Sequence, residues 1–147
     1  MIRPNKLQQY LDQIVEDFQE FENIFITINE GSVVASSNQK DKYFYSALTS
    51  LWEDCSVIAR LNLYNEDKQK QQPLNQCIVE HEKGNVILCA LNDMFVIGFC
   101  LSKDKSQLAF ALQKANIVKK AVEQQFQETY LVQNKEETNL NEENQDD

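Results

Sequence analysis

The sequence predicts an α+β sandwich in which a five-stranded antiparallel sheet carries helices on both faces. Three observations lead there. The stretch from Asn75 to Leu101, NQCIVEHEKGNVILCALNDMFVIGFCL, reads as three strands joined by tight turns at Lys83-Gly84 and Asn92-Asp93. Gly and Asn tolerate the positive φ that two-residue hairpin turns demand. Both sides of this unit are apolar, whereas an antiparallel sheet facing water on one side alternates apolar with polar. Three further segments have helical periodicity and can supply the covers, in the order α-β-β-α-β-β-β-α.

Turning at Asn92-Asp93 would set Leu91 opposite Met94, Ala90 opposite Phe95 and Leu88 opposite Ile97. Val86, Leu88 and Ala90 would then share a face with Phe95, Ile97 and Phe99, while Ile87, Cys89 and Leu91 would share the other with Met94, Val96, Gly98 and Cys100. Gly98 lies inside a strand, where it signals a bulge or the close approach of a neighbouring backbone.

Met1 to Gln19 reads as an amphipathic helix, with Pro4 in its first turn and Leu7, Leu11, Ile14, Val15 and Phe18 at helical spacing. Ile24 to Glu30 (IFITINE), Gly31 and SVVAS form a hairpin turning at Glu30-Gly31. The second helix runs from Asp41 to about Leu61 and has two apolar stripes. Phe44, Ala47, Leu48, Leu51, Cys55 and Ile58 form the broader one, assigned to the sheet. Tyr45, Trp52, Ala59 and Leu63 form another, about 100° round the axis. That second stripe either packs at the edge of the monomer core or meets another subunit, Trp and Tyr being enriched in interface cores. The polar stretch Asn62 to Pro73 is a connection. The third helix is expected from about Asp104 to Phe126, with Ser102 as its cap and Leu108, Leu112, Ala115, Val118, Val122 and Phe126 as its stripe. The first and third helices share one face of the sheet and the second covers the other. The strand Gln76 to Glu82 has a sequence neighbour on one side only and is polar at Gln76, Glu80, His81 and Glu82, so it is read as an edge where a second chain could add a strand.

One domain, residues 1–130, fits a chain of 147 residues. Beyond it, residues 131–147 turn acidic and lose apolar side chains, so they are read as a disordered tail. From Asn134 on, six carboxylates face one Lys, which accounts for −5 of the net charge of −9. That balance argues against nucleic acid or an anionic membrane as a direct partner. No apolar run reaches the roughly 20 residues a span needs, and the amino terminus lacks a signal-peptide core. A soluble, cytoplasmic protein is expected. Four cysteines lack CxxC spacing and read as buried reduced thiols.

No catalytic site, cofactor or metal is expected. A nucleophile needs a base within reach, and the single histidine, His81, lies four residues from Cys77 on the same strand face, about 13 Å away. The glycines form no phosphate loop, and the cysteines are too scattered for zinc.

This order of elements resembles the Roadblock (dynein light-chain-type) family of small dimerising modules, whose fold is related to the longin domains. The residues that carry the likeness are Met1-Ile2-Arg3-Pro4, Asn29-Glu30-Gly31-Ser32, Val33-Val34-Ala35, the Leu51-Trp52 pair and the strand from Leu74 to Gly84, within residues 1–126. Within the family it looks most like the Roadblock scaffold subunits of Ragulator-type complexes, the late-endosomal and lysosomal adaptors of MAPK and TOR signalling. The longer Asn62 to Pro73 connection, the entry to the third helix and the acidic tail depart from the pattern. The resemblance implies a non-enzymatic scaffold that forms a heterodimer with a second Roadblock-type subunit. A lipid-anchored scaffold subunit would hold the pair on the late-endosomal, lysosomal or vacuolar membrane, where it would recruit Rag-type small GTPases. Its partner interface would comprise Tyr45, Thr49, Trp52, Ser56 and Ala59 with Gln76, Ile78, Glu80 and His81. A Roadblock-type dynein light chain or a longin-like trafficking subunit is the alternative.

Overall fold

A computed structural model describes residues 4–38, 41–61, 74–103 and 108–145. The chain runs through helix α1 (Pro4–Asp17), strands β1 (Phe21–Ile28) and β2 (Val33–Ser36), and helix α2 (Lys42–Arg60). Strands β3 (Gln76–His81), β4 (Gly84–Ala90) and β5 (Phe95–Leu101) and helix α3 (Leu108–Gln145) follow. The sheet order is β2-β1-β5-β4-β3, with every neighbouring pair antiparallel. This is the predicted α+β sandwich, with β3 at an edge.

Two apolar layers hold it together. Leu7, Leu11 and Ile14 of α1 and Ala111, Ala115, Val118 and Val122 of α3 pack on one face, over Ile26, Ile97 and Phe99. Tyr45, Leu48 and Trp52 of α2 pack on the other, over Phe25, Val86, Leu88 and Val96. The expected division of the helices is the one observed.

The hairpins differ from expectation in register. Leu91 N–H donates to the Phe95 carbonyl at 2.9 Å, and Ala90 pairs with Val96 and Leu88 with Gly98. The loop therefore includes Met94. The cause is the Asn92 side chain, whose Oδ1 accepts the N–H groups of Met94 and Phe95 at 2.7 and 3.1 Å, an Asx turn that lengthens the loop by one residue. A one-residue slip exchanges faces. Val86, Leu88 and Ala90 thus share the α2 side with Val96, Gly98 and Cys100, and Ile97 and Phe99 point to the α1–α3 side. In the preceding hairpin His81 pairs with Gly84, so the turn is Glu82-Lys83. Gly84 is the first residue of β4 at φ 138°, and a Cβ there would lie 2.3 Å from the Leu101 carbonyl oxygen.

β1 starts at Phe21, earlier than predicted, because a register shift between Phe21 and Asn23 absorbs the polar Glu22-Asn23 pair within the strand. Opposite Phe25, Gly98 leaves room for a ring, since a Cβ there would sit 2.1 Å from Phe25 Cζ. The Phe25 ring stacks on Tyr45, with centroids 4.3 Å apart and planes at 15°. The close approach foreseen at Gly98 is thus made by a side chain rather than a backbone.

α3 continues to Gln145, through most of the acidic stretch expected to be disordered. A docked helix supplies its own nucleus, and the added Gln, Glu, Lys and Leu residues propagate helix at little cost. The predicted connection Asn62 to Pro73 and the entry to the third helix at 104–107 lie outside the described residues.

Candidate partner interface

Helix α2 shows two different faces. Its inward face carries Tyr45, Thr49 and Trp52, exposed 0%, 0% and 4%. Thr49 Oγ1 donates to the Tyr45 carbonyl at 2.9 Å and lies 2.6 Å from Thr27 Oγ1. Since Thr49 has one hydroxyl proton, Thr27 donates to it. This chain of bonds ties α2 to β1. The Tyr45 hydroxyl has no partner among the described residues. Burial pushes its pKa well above the usual tyrosine range, so it stays protonated.

This placement corrects the expectation for Tyr45, Thr49 and Trp52. They are core residues of the chain itself and present no surface to a partner. The broad stripe assigned to the sheet points outward instead over much of its length. Leu51 and Ile58 are 40% and 56% exposed, and Val57 and Leu61 beside them are also exposed. Both stripes were apolar, so periodicity did not determine which one faced inward. The Gly98 recess decided, since it admits Phe25 and Phe25 stacks on Tyr45. The outward set was missed for the same reason, although Leu51 and Ile58 already stood out as apolar.

The other expected interface residues lie nearer the surface. Ser56, Ala59 and Gln76 are half-buried, and Ile78, Glu80 and His81 are exposed. His81 packs its ring 5.3 Å from that of Phe44, and its Nδ1 accepts the Lys83 N–H at 3.2 Å. Phe44, Leu51, Cys55 and Ile58 recur at helical spacing, so they form one stripe. Phe44 meets β3 at His81, which places this stripe along the open edge of the sheet. Among the described residues β3, as the last strand of the sheet, has a hydrogen-bonded neighbour on one side only. The arrangement is therefore an unpaired strand edge bordered by an apolar helix flank, which is suited to receiving a strand and helix of another chain.

Among the described residues no group of three or more His, Cys, Asp and Glu is placed to hold a metal ion, and no helix is long and apolar enough to cross a membrane.

No family sequence model matches the chain, and none of the curated protein sequences does. Solved structures do match. MglB of Myxococcus xanthus superposes with a TM-score of 0.66 at 12% identity, over 87% of this chain and 92% of that one. A Roadblock/LC7 domain from Streptomyces avermitilis does so at 0.56 and 16% identity, over 79% of this chain and 97% of that one. The fold is that of Roadblock/LC7 domains. Profilin of Schizosaccharomyces pombe shares the architecture at 0.54 and 13% identity, over 78% of this chain and 94% of that one. MglB has also been solved in a tetrameric arrangement, with a TM-score of 0.65 at 8% identity, over 84% of this chain and 90% of that one. At such identities the likeness concerns the Roadblock/LC7 architecture.

Proposed function

We propose that this chain is a non-enzymatic Roadblock-type adaptor that pairs with a second Roadblock-type subunit through β3 and the adjoining flank of α2. The observation that carries this reading is the exposed Leu51 and Ile58 beside the unpaired edge of β3. Exposed edges are normally blunted in proteins that stay monomeric. The tetrameric arrangement of MglB supports the same reading by showing this fold assembled. A net charge of −9 makes pairing with itself electrostatically unfavourable, which supports a different chain as the partner.

The finer assignment follows the resemblance in the sequence. The dimer belongs to a Ragulator-like platform, is held on the late-endosomal, lysosomal or vacuolar surface by a lipid-anchored subunit, and recruits Rag-type small GTPases in TOR signalling. Copurification of the full chain from cells, followed by sedimentation of the recovered complex, tests both levels. A Roadblock-type partner together with Rag-type GTPases is the expected result. Dynein intermediate chain or tethering subunits in their place would overturn the Ragulator-like role. A chain that sediments as a folded monomer and recovers no Roadblock-type subunit would overturn the adaptor itself.

A further inference from the structure

The apolar patch on the outward side of α2 has a carboxylate in its middle. On a helix the nearest surface neighbours of a residue are those three and four positions away. For Asp54 these are Ser50, Leu51, Val57 and Ile58, and all four are exposed, as is Asp54 itself. At about 100° per residue, Asp54 lies on the opposite side of the helix from the buried Tyr45, with the exposed Leu61 about 20° away. The other charges of α2 lie elsewhere. Lys42 and Arg60 are both about 120° round the axis from Asp54, and Glu53 is on their side, about 100° round. No basic residue stands three or four positions from Asp54 in the chain. The ion pairs among the described residues are Lys114–Glu20 and Lys119–Glu123, and Asp54 belongs to neither. An aspartate carboxylate is joined directly to Cβ, so it cannot reach over the patch to water as a Lys or Arg head does.

A surface that covers Leu51, Val57 and Ile58 therefore takes Asp54 out of water with them. Enclosing a carboxylate without a counter-charge is strongly unfavourable. We infer that the partner carries an Arg or Lys that meets Asp54 inside the interface, and that Asp54 selects a partner with a basic residue at that place. This rests on the pairing of β3 and the α2 flank with a second subunit. A neutral or acidic surface of the same shape leaves the carboxylate buried and unpaired, and is rejected for that reason. A second copy of this chain is rejected on the same ground. Pairing about a two-fold axis sets the same patch against itself, which brings a second Asp54 to the patch while Lys42 and Arg60 stay outside it.

The test purifies the full chain and the subunit it copurifies with, and measures their association by sedimentation. Asp54→Asn removes the charge and nearly keeps the shape, and should weaken association about 30-fold or more, as for one member of a buried charge pair. Asp54→Lys should weaken it further. Changing the partner's surface Lys and Arg residues to Asp one at a time should find one position that restores binding to Asp54→Lys. An Asp54→Asn chain that binds as tightly as wild type, or a search that finds no restoring position, would overturn the inference. Ile58→Asp in the same assay separates the two levels. If it weakens association while Asp54→Asn does not, the pairing stands and only the role of Asp54 falls. If neither variant has an effect, the α2 flank lies outside the interface and both fall.

Discussion

At one edge of the sheet β2 is four residues long and packs beneath α1. The Ser36 N–H is taken by Gln8 Oε1 at 3.2 Å, and Ala35 and Ser36 are buried. At the other edge β3 is six residues long, is half-buried at Gln76, Cys77 and Val79 and exposed at Ile78, Glu80 and His81, and meets α2 where His81 lies against Phe44. A helix side chain supplies a hydrogen-bond partner for the first edge, whereas the second displays Ile78 and leaves Leu51 and Ile58 uncovered. Edge protection is thus applied selectively in one small sheet. The edge left open adjoins the apolar surface that α2 does not bury in its own core.

The largest effect should come from the anchor that turns α2 away from that surface. Trp52→Ala should lower unfolding free energy by about 3–5 kcal/mol, as for other buried aromatic truncations, read by chemical denaturation. If stability is unchanged and association is lost instead, the inward and outward faces of α2 have been assigned in reverse. Next in size, Ile58→Asp should weaken association by about 2 kcal/mol, as for an interface anchor, while leaving Tm nearly unchanged. Sedimentation of the wild-type and variant complexes measures this, and an unaffected complex would remove the α2 flank from the interface.

At the closed edge, Gln8→Ala strands the Ser36 N–H and should cost about 1 kcal/mol. Glu80→Ala on the open edge should stay within about 0.5 kcal/mol. Equal costs would erase the contrast between the edges. The smallest effect concerns neither edge and serves as a background measurement. The hydrogen bond from Lys114 holds the Glu20 carboxyl below its ordinary pKa of 4.5. Its folded value is lower than its unfolded one, so its contribution is present above pH 4.5 and is lost as pH falls through the folded value. Glu20→Gln should flatten that part of the acid limb in a pH series of denaturation curves. A limb of unchanged slope would show that the carboxylate contributes nothing there, as is common for surface pairs.

The order of elements, the division of helices between the faces and the edge position of β3 all follow from local signals. Alternation and turn residues mark strands, and the 3.6-residue period marks helices, without reference to anything distant. The register of the last hairpin did not follow, because it depends on where the Asn92 carbonyl oxygen finds its donors. Nor did the bulge that lets β1 begin at Phe21, nor the helical continuation of α3 to Gln145. For the candidate interface, Tyr45, Thr49 and Trp52 were expected at the surface of α2 and lie instead in the chain's own core, whereas Ile78, Glu80 and His81 of β3 are exposed.

By itself, then, the sequence determined an α+β sandwich, a two-sided apolar sheet and a helix with more apolar surface than one core can bury. Only the tertiary structure decided which stripe of α2 faces inward. Periodicity places residues on faces but does not rank two apolar faces. Packing ranks them, because the space above Gly98 takes the Phe25 ring, that ring stacks on Tyr45, and the rotation this imposes carries Leu51 and Ile58 out beside the open edge.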